Sequence, residues 1–154
     1  MGRTMRMAAA VIVAVTVMLG AGCAWLQGVD KTSAAYSVGK YGTIAYMSGK
    51  DKLPQEYRDA VTSVWEGFRD NADKVTVANI DSAPGMVKGY IAKSGLKAST
   101  QAKANALVDK YWADLNAKVA MTGLTDEEIV LVVQALRQGI QDGLNQTNPD
   151  DNQP

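Results

Sequence analysis

The chain has 154 residues, with sixteen basic and sixteen acidic side chains, no histidine and one cysteine, and 47% of it is apolar. That length holds one modest domain, with or without an address segment, and the absent histidine removes the usual general base, the Ser-His and Cys-His pairs and most zinc and haem sites. A lone cysteine excludes an internal disulfide, a CxxC pair and a thiolate cluster, and zero net charge offers no overall attraction to nucleic acid.

The N-terminal segment differs from everything after it. Arg3 and Arg6 are the only charges before Asp30, and the nineteen residues from Ala8 to Leu26 carry none. A basic n-region, an apolar h-region and then the small residues Gly20, Ala21 and Gly22 make up the layout of a secretory signal. Cys23 follows directly. In this the segment resembles the precursors of bacterial lipoproteins, in which a Leu, a small residue and a Gly or Ala precede a cysteine that is acylated and becomes the mature N-terminus. The resemblance covers residues 1–23. Ala21, Gly22 and Cys23 match the pattern; Gly20 stands where the family prefers Leu, and Leu19 sits one place earlier. The resemblance implies a signal peptide over 1–22, lipid attachment (palmitate among the acyl groups) at Cys23, and a tether over 23–32. Ala24, in place of the Asp common in members kept at the inner membrane, implies the outer membrane where the host has one.

Three other readings of the same residues stand beside it. Nineteen uncharged residues make a helix of about 28 Å, close to the hydrocarbon thickness, so an uncleaved signal anchor with Trp25 at the interface fits. A simple secreted protein cut near Ala21 or Gly22 fits as well, as does a buried helix. The lipoprotein, anchor and secreted readings all place residues from about 30 onward outside the cytoplasmic membrane. Acylation would also account for the unpaired thiol of an exported chain.

The body, 33–144, reads as an all-α domain of four main helices and a short one, bundle-like or orthogonal. Ser33 to Ser48 is the first helix, with the small residues Ala35, Gly39, Gly42, Ala45 and Gly49 at threes and fours. Its interior glycines each cost about 1 kcal/mol against alanine, so it needs tertiary contact, and its small face lets another backbone come close. Residues 54–72 are amphipathic, with Leu53, Tyr57, Ala60, Val61, Val64, Trp65 and Phe68 on one stripe and Pro54 in the first turn. In 75–97, Asp81, Ser82, Pro84 and Gly85 mark a turn before a short helix from Met86 to near Gly95. Val75, Val77 and Ile80 read either as extended or as a continuation of the second helix.

Thr100 to Thr122 is the next helix, on the stripe Ala104, Val108, Tyr111, Trp112, Leu115 and Val119, with Gly123 as its C-cap. Thr125-Asp126-Glu127-Glu128 is a capping box, and Ile129, Val132, Val133, Leu136, Ile140 and Leu144 follow at helical spacing. Val130 and Leu131 fill the other faces, so the first two turns are expected to be buried all round. Residues 145–154 are polar and are expected to be disordered.

No catalytic set, cofactor site or metal site assembles from these residues. Asp126 and Glu127 belong to a cap, and Asp150 and Asp151 to the tail. Gly49-Lys50-Asp51 lacks the hydroxyl of a phosphate loop, and Ser94-Gly95-Leu96-Lys97 reads as a loop and not as a Ser-Lys pair. Charge is uneven: residues 86–118 carry a balance of +4 from Lys88, Lys93, Lys97, Lys103, Lys110 and Lys118, whereas 123–154 carry −5. This is either a basic face toward anionic lipid or a solvated face paired in part with the acidic end. Trp65 and Trp112 read as core. Tyr36, Tyr41 and Tyr46, spaced by five, spread around the first helix, and any left exposed would suit a protein partner.

The expectation is a non-enzymatic lipoprotein of the bacterial envelope, held by membrane lipid through its acylated N-terminus. It binds an envelope protein partner, or acts as a structural or accessory factor, and takes no nucleic acid. The alternatives are a periplasmic carrier of a lipid or apolar ligand, and a phage or prophage envelope factor.

Overall fold

The computed structural model describes residues 30–48 and 55–147. The signal-like segment with Cys23, Gly49-Lys50-Asp51 and the tail from 148 onward lie outside the described residues. The domain is all-α. Its helices are α1 (Lys31–Met47), α2 (Gln55–Asn71), α3 (Ala83–Lys93), α4 (Ala98–Lys118) and α5 (Asp126–Gln146), joined by 3-10 turns at Ala72–Lys74, Val77–Ser82 and Met121–Gly123.

The amphipathic stripes converge on one core. Val61, Val64 and Phe68 of α2 are buried with Val87 and Ile91 of α3. Val108, Tyr111 and Leu115 of α4 and Ile129, Leu136 and Ile140 of α5 complete its centre. The rings of Phe68 and Trp112 stack at 15° with centroids 6.5 Å apart.

Contacts between helices set their directions. Lys31 meets Glu128, Tyr36 meets Asp142 and Thr43 meets Gly143, so α1 and α5 run parallel. Glu56 meets Lys103 and Phe68 meets Trp112, so α2 and α4 are parallel as well. Arg58 reaches Leu144 while Trp65 faces Arg137, so α2 opposes α5. The short α3 packs on both α2 and α4.

The α1–α5 seam is made by glycine. A Cβ on Gly39 would run into the Leu136 carbonyl oxygen and lie 2.8 Å from Ile140 N; one on Gly139 would run into the Tyr36 carbonyl oxygen and lie 2.8 Å from Lys40 N. The small-residue face of α1 thus admits a neighbouring backbone as expected, although Ala45 points to solvent. Gly42 serves a different helix, with its Cβ position 2.8 Å from the Tyr111 ring of α4.

Four local expectations are corrected. The fourth helix ends at Lys118, not Thr122, because Val119 turns extended and, with Met121 and Leu124, enters the core. Gly123 is therefore no C-cap; its amide closes a 3-10 turn on Ala120 O at 3.1 Å. Residues 77–82 neither extend nor continue α2. Asn79 pins them as a 3-10 turn, accepting from Thr76 N at 2.7 Å and donating to Lys74 O at 2.9 Å. Pro84 and Gly85 lie inside the first turn of α3, a place that suits proline because no intrahelical N–H bond is lost there.

At the start of α5 the capping box forms, with Glu128 N donating to Thr125 Oγ1 at 3.3 Å and Thr125 N donating to Glu128 Oε2 at 2.9 Å. That amide bond, with Lys31 nearby, holds the Glu128 carboxyl below its usual range. The first turns of α5 are not buried all round, since Leu131 is 54% exposed. At the far end α5 continues through Asn145 and Gln146, residues expected to belong to the tail. Arg58 extends it by donating to Thr147 O at 3.0 Å and Leu144 O at 3.2 Å, which satisfies carbonyls that have no partner within the helix.

Candidate functional site

Where α2 runs out, its last turn and the Ala72–Lys74 turn face α5 across an open cleft of about 430 Å³. Arg69, Asp70, Asp73, Lys74, Gln134 and Arg137 line it, leaving three cations against two carboxylates. Helical spacing puts Arg69 one turn beyond Trp65 on α2, with its guanidinium carbon 5.2 Å from the indole centroid. Arg137 comes from α5 and stands 5.8 Å from the same ring. Two guanidiniums on one indole form a cation–π arrangement, each contact worth about 0.5–1 kcal/mol at an exposed site.

The two arginines differ in their partners. Arg69 Nε donates to Asp70 Oδ1 at 2.8 Å, and Lys74 Nζ donates to Asp70 O at 2.6 Å. Arg137 makes no hydrogen bond or ion pair with any described residue, and its Nε is buried without an acceptor. Trp65 is therefore only partly core: it packs against the buried cluster on one side and carries the cleft's arginines on the other. The stripe pattern placed it inward; the signal for its second role is the charged Arg69 four residues on. Arg137, from another helix, has no such signal.

The remaining candidate residues are scattered. Asp126 serves the fold, accepting from Val77 N at 2.7 Å. Ser94 Oγ donates to Ile91 O at 2.6 Å, and Gly95 takes a left-handed φ of 73°, so this segment is the loop expected. Among the basic run, Lys88 pairs with Asp109 at 2.6 Å, Lys103 with Glu56 at 3.0 Å and Lys110 with Asp114 at 2.8 Å. These partners come from α2 and α4, not from the acidic end, in which Glu128 meets Lys31 of α1 at 3.5 Å and Asp142 accepts from Tyr36 of α1 at 2.7 Å. Lys93, Lys97 and Lys118 are exposed and form no ion pair with a described residue. Of the three tyrosines of α1, Tyr41 is 64% exposed, Tyr36 bonds to Asp142, and Tyr46 packs at 5.8 Å on Tyr57.

Among the described residues no group of three or more acidic or cysteine side chains is placed to hold a metal ion, and no helix is long and apolar enough to cross a membrane. No family model, no curated protein and no solved structure matches the chain.

Proposed function

We propose that this chain is a lipoprotein of the bacterial envelope, with residues 1–22 its export signal and Cys23 its site of lipid attachment. The all-α body then sits outside the cytoplasmic membrane as a binding or accessory module, not as an enzyme. The observation that carries this reading is the position of the single cysteine: it directly follows a basic, then apolar, then small-residue run, where acylation needs it. The body is consistent with a module that works through its surface. Its helices are filled by a continuous cluster of buried apolar side chains, which leaves little room for an apolar cargo between them. Among the described residues, Tyr41, Val77 and Leu131 are the large apolar side chains it exposes.

Replacement of Cys23 by serine tests the assignment in the full chain expressed in a bacterial host. The expected result is loss of labelling by a radioactive or clickable palmitate precursor, accumulation of the unprocessed form, and a change in membrane fractionation. Unchanged processing and fractionation, with no lipid label on the wild type, would overturn it.

A further inference from the structure

The cleft between α2 and α5 holds a charged group whose counterpart is missing among the described residues. Arg137 offers five N–H donors and no carboxylate or carbonyl of a described residue accepts from them, while its Nε is already removed from water. Arg137 lines the cleft, so its remaining donors are the ones an arriving acceptor meets. Asp70 engages the Nε of Arg69 and leaves its Nη groups as flanking donors.

We propose that this cleft binds a small organic monocarboxylate, with Arg137 as the carboxylate clamp and Arg69 and Lys74 as flanking charges. The size fits, since about 430 Å³ lies within the range of roughly 300–1,000 Å³ typical of small-molecule sites. The charge fits a monoanion: three cations against Asp70 and Asp73 leave a surplus of one positive charge. A phosphate dianion would face both acids with only that surplus. Asp73, exposed on the same cleft, and the Gln134 amide provide acceptors for a donor elsewhere on the ligand. A carboxylate that also carries an ammonium group, as a free amino acid does, therefore matches the lining better than a bare carboxylate. The inference is independent of whether Cys23 is acylated.

The test is a titration of the isotopically labelled full chain in detergent, following the Arg137 Nε–H and the Trp65 indole N–H by nitrogen–proton NMR. The probes are alanine, acetate and inorganic phosphate. Saturable shifts of both signals are expected with alanine and acetate, at millimolar midpoints and tightest for alanine. Arg137→Met should abolish the Trp65 response, Arg137→Lys should keep a response weakened by about tenfold for want of the planar fork, and Asp73→Asn should bring the alanine and acetate midpoints together. An unchanged circular dichroism melt for Arg137→Met shows that the loss is local; if that variant melts early, the Arg137→Lys and Asp73→Asn comparisons decide. Linear, unsaturable shifts with both carboxylates, an equal response in Arg137→Met, or phosphate binding as tightly as alanine would each overturn the proposal.

Discussion

Replacing Gly139 by alanine probes the seam on which the first and last helices meet. In an exposed helix interior the change stabilises by about 1 kcal/mol, because glycine loses more backbone freedom on folding. Gly89 of α3 is such a place, with nothing within 4 Å of an added Cβ, and Gly89→Ala is the control. At Gly139 the new methyl meets the Tyr36 carbonyl oxygen and stands 2.8 Å from Lys40 N, where ordinary contact begins at 3.4 Å. Backbone atoms have no rotamer to escape into, so α1 has to retreat by at least the 0.6 Å difference. Gaps of about 0.5–1 Å forfeit a quarter to a half of each dispersion contact, and here they open along Ala35, Val38, Thr43 and Met47, the buried face of α1.

Overpacking of this kind costs about 1–3 kcal/mol or more, and the top of that range applies where no side chain can yield. Set against the propensity gain, a net loss of about 2 kcal/mol is expected, lowering the melting temperature by roughly 6–10 °C for a domain of this size. Thermal circular dichroism and urea titration of the full chain in detergent measure both variants. Gly39→Ala combined with Gly139→Ala should cost less than the two changes apart, since one retreat of α1 accommodates both methyls. A Gly139→Ala protein as stable as the wild type, or a gain like that of Gly89→Ala, would refute the close glycine contact.

Two further predictions concern polar groups inside the domain. Arg58→Ala removes two charge-assisted bonds from the last carbonyls of α5. A loss of about 1.5–3 kcal/mol is expected, with hydrogen exchange accelerated at the last turn of α5 and unchanged at its first. Tyr111 is buried, its hydroxyl 2.7 Å from Thr43 Oγ1, which donates in turn to Gly39 O at 2.7 Å. Burial pushes the phenol up to about 12. The folded state therefore holds this proton more tightly than the unfolded chain, whose phenol titrates near 10. Its stabilisation is complete below pH 10 and is lost as pH rises toward 12, at a slope of up to about 1.4 kcal/mol per unit. Urea midpoints taken from pH 8 to 11.5 should show this slope in the wild type and a shallower one in Tyr111→Phe; equal slopes would assign the alkaline loss to other tyrosines.

Helix identity was legible because it is a local property. The stripes of α2 and α4, the capping box of Thr125 and Glu128, and the small face of α1 all lie within a few turns of chain, and each forms as the spacing indicates. Ends were less legible where a long-range contact decides them. Arg58 carries α5 past Leu144, and the burial of Val119 and Met121 breaks α4 before Thr122. The cleft was only half visible: Trp65 and Arg69 are one turn apart in the chain, but Arg137 arrives from a helix some seventy residues later.

By itself the sequence determined the helical class, the apolar arc of each helix and the place of Cys23 after its signal-like run. The tertiary structure alone decided that α1 pairs in parallel with α5, that Gly139 and Gly143 answer Gly39 and Thr43 across that seam, and that Arg137 stands over Trp65 without a counter-charge among the described residues. The physical reason is that periodicity states which face of a helix seeks burial, but not against what. That choice rests on shape and charge matched between segments about a hundred residues apart, and it exists only once both are folded.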